Sequence, residues 1–160
     1  MRILDVACGG KMMWFDKHNP DVVFGDIRRA DMTLVDGRRF VVSPDVQFDF
    51  RALPFPDGTF QMVVFDPPHL KSAGPRSWQA AKYGKLAPSW RDDLRLGFAE
   101  CWRVLAANGT LIFKWNEYQI PVREVLALAP VEPLFGHKTK ATTKWFVFAK
   151  NGFGVSRRAV

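Results

Sequence analysis

Residues 63–70 read VVFDPPHL: Val63, Val64, Phe65, Asp66, Pro67, Pro68, His69 and Leu70. Val63, Val64 and Phe65 are β-branched or aromatic, the composition of a buried strand. Neither proline has an N–H for a sheet ladder, so the strand stops at about Asp66. The chain then turns rigidly at the C-terminal end of a strand, and one carboxylate is held there in a fixed position. In an open α/β sheet that edge is where ligands bind.

Outward from this stretch, strand-like and helix-like segments alternate. RILDVAC, DVVFGDI, FQMVVFD, TLIFKWN and TKWFVFAKN read as strands, and RRFVVSPDVQFDF holds one or two more. GKMMWFDKHN reads as a short helix or a helix start, and VREVLALA as a helix. WRDDLRLGFAECWRVLAANG is an amphipathic helix, with Leu94, Phe98, Cys101, Trp102 and Leu105 on one face. Asn108-Gly109 fits its left-handed C-cap. This alternation predicts a doubly wound, mainly parallel sheet, with right-handed crossovers placing successive loops along one edge.

With 160 residues, 48% hydrophobic and 24% charged, the chain suits one globular domain with a real core. No apolar run approaches a membrane span, and MRILDVACGG is not the pattern of a signal peptide. The two cysteines, Cys8 and Cys101, lack zinc-like spacing and fit reduced thiols in a cytoplasmic compartment. His18, His69 and His137 are far apart and suggest no metal site. The net charge of +7 favours a polyanionic partner.

The first strand runs into Asp5, Ala7, Cys8, Gly9 and Gly10. Small residues there let a ligand approach the backbone, and a following helix would offer free N–H groups. The pattern departs from G-x-G-x-x-G, so it reads as a nucleoside-type site and argues against a nicotinamide oxidoreductase. Asp26, ending the second strand, is placed to accept ribose hydroxyls. Asp49 is a third acidic candidate, beside a base ring lined by Phe48 or Phe50, or else a partner of Arg51. Cys8 is read as a small buried filler despite its place in the loop.

Together these residues resemble the class I S-adenosylmethionine-dependent methyltransferases over nearly the whole chain. Asp5 to Gly10 is similar to their glycine-rich first motif, Asp26 to the ribose-binding acid, and Asp49 with Phe50 to the adenine-side residues. Asp66-Pro67-Pro68-His69 resembles the [DNS]-P-P-[YFW] motif of amino-methyltransferases, with His in place of Tyr, Phe or Trp. The string as a whole looks like small phage and prophage methyltransferases. The resemblance implies a Rossmann-like fold with an antiparallel C-terminal strand, S-adenosylmethionine as cofactor, and transfer to an exocyclic amine. The acceptor it points to first is adenine N6 in DNA. Alternatives are an RNA base, cytosine N4, a protein glutamine, or a non-catalytic subunit that keeps the fold.

It implies roles as well. Asp66 and Pro67 would accept from the acceptor's N–H groups and His69 would stack on its ring, with Pro68 stiffening the turn and no cysteine nucleophile. Asp66 would also face the cofactor. Residues 1–152 form one catalytic domain, with a recognition insertion at about 70–90 and a flexible tail at 153–160. Within the insertion, Lys71, Arg76, Lys82 and Lys85 are candidates for flanking phosphates, and Trp78 and Tyr83 for base contacts. So small an insertion implies low sequence specificity unless a homodimer or partner subunit supplies it. Lys114 and Trp115 end a strand near the same edge.

Overall fold

The computed structural model describes residues 2–74, 77–137 and 141–150. The chain forms strands β1 (Ile3–Asp5), β2 (Val22–Asp26), β3 (Ala30–Thr33), β4 (Arg39–Val42), β5 (Val46–Gln47), β6 (Phe60–Phe65), β7 (Leu105–Asn116), β8 (Phe135–Gly136) and β9 (Thr143–Ala149). Its helices are α1 (Trp78–Tyr83), α2 (Trp90–Val104) and α3 (Val122–Leu126). Seven strands make one sheet in the order β5-β2-β1-β6-β7-β9-β8, and β3 and β4 form a separate hairpin. From β5 to β7 all pairs are parallel; β9 runs antiparallel to both β7 and β8. The chain works outward from β1 to β5, then returns to lay β6 against the other side of β1. That reversal opens a crevice at the C-terminal ends of β1 and β6, where ligands bind in open sheets. The expected doubly wound, mostly parallel sheet with an antiparallel final strand is the architecture observed.

The core follows the period-2 pattern of the strands. Leu111, Phe113 and Trp115 of β7 are fully buried under α2, while Thr110, Ile112 and Lys114 on the other face are half-exposed. Phe65, Phe98 and Phe113 meet edge-on or tilted at 4.9 to 5.8 Å between ring centres, a geometry favoured by the ring quadrupoles. Leu94, Phe98 and Cys101 of the predicted helix face are fully buried; Trp102 is half-buried. In β2, a Cβ on Gly25 would stand 1.9 Å from the Phe48 ring, so glycine is what lets β2 and the Phe48 side chain pack.

Three local expectations change. GKMMWFDKHN forms turns and no helix. The carboxylate of Asp16 accepts from His18 N–H and the amide oxygen of Asn19 from Asp21 N–H, and such local bonds compete with helix formation. Helix α2 ends at Val104, before Asn108-Gly109, because the next residue, Leu105, already pairs with Phe60 of β6. The Lys150 ammonium caps that end on the carbonyls of Trp102 and Leu105, and Asn108, left-handed at φ 62°, bends β7 instead. The β3–β4 hairpin, which stands where a crossover helix would lie between β2 and β5, was not expected at residues 30–33. The segment 153–160, expected to be a flexible tail, lies outside the described residues.

Candidate active site

The glycine loop is built from below by Asp5. Its carboxylate is fully buried, with Oδ2 accepting from Trp14 Nε1 at 2.7 Å and Oδ1 from Ala7 N–H at 3.3 Å. Burial pushes the Asp5 carboxyl up to about 7, against the pull of those two donors. Asp5 thus ties the loop to the Trp14 turn and does not line the cavity above it. Gly9 turns with φ +50°, a conformation glycine adopts without strain, and its N–H donates to Asp26 Oδ2 at 2.8 Å. The bond locks the loop to the end of β2.

Two adjoining cavities open at this edge. The first, of about 270 Å³, is lined by Ala7, Cys8, Gly9 and Gly10 on one side and by Asp66, Pro67, His69 and Lys114 on the other, under Lys82 and Tyr83. The second, of about 180 Å³, is lined by Asp26, Ile27, Phe50, Pro68, Gly84 and Lys85. Ala7, Arg28, Asp66 and Tyr83 border both. The Arg28 side chain stands between them, its guanidinium donating to the carbonyls of Ala81 at 3.3 Å and Lys82 at 3.4 Å. It caps the C-terminal turn of α1, where a cation is favoured. The loop carrying α1 is closed at its base by Leu86 N–H to Leu70 O, and Gln119 holds the backbone of Lys71 and Ser72.

Asp66 Oδ2 receives the Lys114 ammonium at 2.5 Å. Among the described residues Oδ1 has no hydrogen-bond partner, and Asp66 borders both cavities. Burial pushes the Asp66 carboxyl above the usual carboxylate range, and Lys114 opposes it. His69 lies between Tyr83, at 5.7 Å, and the fully buried Trp115, at 6.4 Å. Burial first, and Lys114 second, hold its imidazole below the ordinary histidine value, so it is neutral at pH 7. Cys8 is buried and its thiol pushed up to about 12, chiefly by burial, so it stays protonated and unreactive.

Of the residues expected from sequence, Ala7, Cys8, Gly9, Gly10, Asp26, Phe50, Asp66, Pro67, Pro68, His69, Lys82, Tyr83 and Lys85 are brought together around the two cavities. Asp49 is not among them: it pairs with Arg51, which also bonds Asp93. Lys71 and the 41% exposed Trp78 lie off the cavities, and Arg76 lies outside the described residues. Arg28 was missed as a site residue, although it stands two residues after the strand-end Asp26; Lys114, expected near this edge, was given no role, and the structure pairs it with Asp66. Among the described residues no His, Cys, Asp or Glu cluster could hold a metal, and no helix is long and apolar enough to cross a membrane.

No protein-family model and no curated protein matches the sequence. Solved structures match its fold. The PH0226 protein from Pyrococcus horikoshii OT3 is similar over 94% of this chain and 82% of its own, at 18% identity and a TM-score of 0.59. A SAM-dependent methyltransferase from Methanosarcina mazei is similar over 93% and 92%, at 11% identity and a TM-score of 0.56. Another, from Leishmania major, is similar over 93% and 64%, at 15% identity and a TM-score of 0.54. The chain has the Rossmann-like fold found in SAM-dependent methyltransferases.

Proposed function

We propose that the protein is an S-adenosylmethionine-dependent methyltransferase acting on an exocyclic amine of a nucleic-acid base, with adenine N6 in DNA as the leading acceptor and little sequence specificity. One observation carries the reading. The Asp66-Pro67-Pro68-His69 turn and the glycine loop face each other across one cavity, and Asp66 presents a free Oδ1 to it. The second cavity suits the nucleoside end of the cofactor, with the Asp26 carboxylate for hydroxyls and Phe50 for a ring. S-adenosylmethionine supplies, when bound, a methyl group on a positively charged sulfur.

The chain's own residues then prepare the acceptor. An exocyclic amine is a weak nucleophile because its lone pair is delocalised into the ring. Asp66 Oδ1 and the Pro67 carbonyl accept from its two N–H groups, which favours a tetrahedral nitrogen with its lone pair free for attack. Lys114 holds Asp66 by the other oxygen and opposes the upward push of burial, which favours the carboxylate form that accepts when the amine arrives. This is positioning and preorganised electrostatics, with no enzyme-bound intermediate. Neutral His69, backed by Trp115, offers its ring face to the base, which must leave a duplex or come from a single strand. Lys82, Tyr83 and Lys85, which line the cavities, would meet the flanking nucleotide. Residues 1–152 act as one catalytic domain with 70–90 as its recognition segment.

The test is methyl transfer from radiolabelled S-adenosylmethionine to unmethylated DNA, single- and double-stranded, followed by nucleoside mass spectrometry. N6-methyladenine is expected. Asp66→Ala should abolish transfer while cofactor binding is largely kept. Cofactor binding by the wild-type protein with no methylated base in DNA or RNA would overturn the reading.

A further inference from the structure

The glycine loop has a second side. Beyond Gly9, Gly10, Met12 and Phe40, which it shares with the active-site cavity, a groove of about 610 Å³ runs between the Lys11–His18 turns and the β3–β4 hairpin. Its lining carries Lys11, Lys17, Arg38, Arg39 and Lys82 and a single carboxylate, Asp45. Asp45 is already engaged by Lys11 at 3.6 Å. Arg38 and Arg39 pair with Asp36 and Asp31, but these carboxylates do not line the groove. Both pairs are open to water, the arginine side chains being 69% and 73% exposed. Such pairs contribute little and exchange readily, and a guanidinium takes a phosphate in the same two-pronged way as a carboxylate. Lys82 stands where groove and cavity join, its ammonium within 6 Å of the Phe40 and Tyr83 rings.

We propose that this groove is the track for the nucleic-acid strand flanking the target nucleotide, with the β3–β4 hairpin as its outer wall. It deepens the function proposed above and rests on it for the identity of the acceptor. The hairpin replaces a crossover helix beside the site, packs on Ala81 of α1, and adds cations next to Lys82 of the 70–90 loop. A strand whose base enters beside His69 then has phosphates running past Lys82 toward Arg39, Arg38 and Lys17. The contacts are to phosphates, so the track contributes affinity and no base reading.

Two variants of the full chain test it in opposite directions. Fluorescein-labelled single-stranded DNA is titrated by anisotropy across a salt series, the KM for DNA is measured in the transfer assay, and S-adenosylhomocysteine binding by calorimetry reports an intact cofactor pocket. Arg38→Glu with Arg39→Glu should weaken DNA binding about tenfold or more. It should also reduce the salt slope by about 1.4, at about 0.7 per phosphate contact on a single strand. Asp31→Asn with Asp36→Asn frees both arginines and should tighten binding several-fold, which a misfolded protein cannot do. Unchanged affinity and slope in both variants, with transfer to DNA intact, would overturn the track alone. Charge-dependent binding in the wild type without any methyl transfer would overturn the enzymatic reading and leave the track standing.

Discussion

Lys114→Met tests the chemistry most directly. Methionine keeps an unbranched apolar stem and deletes the ammonium that lies 2.5 Å from Asp66 Oδ2. The two side chains are only 25% and 19% exposed, so solvent screens the pair weakly. A cation this close holds a carboxyl down by about 1–3 units, or roughly 1.4–4 kcal/mol. Burial already pushes the Asp66 carboxyl up and Lys114 opposes it, so without Lys114 it rises further. A protonated Asp66 would donate where the acceptor amine needs an acceptor. The acid limb of the kcat/KM profile should therefore move to higher pH, with transfer on that limb falling about tenfold or more and recovering in alkali. Lys114 also holds His69 down; a His69→Phe background removes that titration and leaves the Asp66 effect. Lys114→Arg should restore most of the profile, and S-adenosylhomocysteine affinity should change little. A loss of rate that is equal at every pH would refute the reasoning, because it would make Lys114 a packing residue.

Other expectations follow from the same geometry. Arg28→Ala removes the cap on α1, so hydrogen exchange at residues 77–84 should rise well above that of α2; unchanged protection would mean that Arg28 does not hold the helix. Asp5 is raised from 3.8 to about 7 in the folded protein, so its contribution to stability is full below about pH 4 and is lost as pH rises through 7. Melting temperature should fall from pH 5 to pH 8, and Asp5→Asn should flatten that slope; an unaltered slope would assign it to other groups. Gly25→Ala drives a methyl into the Phe48 ring and should destabilise by about 1–3 kcal/mol in urea unfolding.

Much of this protein was legible before folding. Strand β6 and its stop are written in three apolar residues followed by two prolines, and α2 in a strip of Leu94, Phe98 and Cys101. These are local signals, set by period and by missing N–H groups. The β3–β4 hairpin was not read from the sequence, because Ala30–Thr33 lacks the β-branched run that marks a strand. The helix expected after Gly10 was lost to side chains that bond their own backbone, with Trp14 drawn inward to Asp5.

The site divides along the same line. Sequence alone determined which residues end the strands, because periodicity and proline act within a few neighbours. It placed Asp26 and Asp66 at one edge by that route. Only the tertiary structure decided which polar groups meet. All four carboxylates are engaged, yet Asp5 meets Trp14 under the loop and Asp49 meets Arg51 off the cavities, whereas Asp26 takes Gly9 and Arg28, and Asp66 takes Lys114, at the cavity walls. Lys114 reaches Asp66 from a strand 48 positions away, and Arg28 reaches the carbonyls of α1 across the cleft. Pairings between groups far apart in the chain are selected by the packing of the whole sheet, because a buried charge must find whichever partner the fold brings within reach.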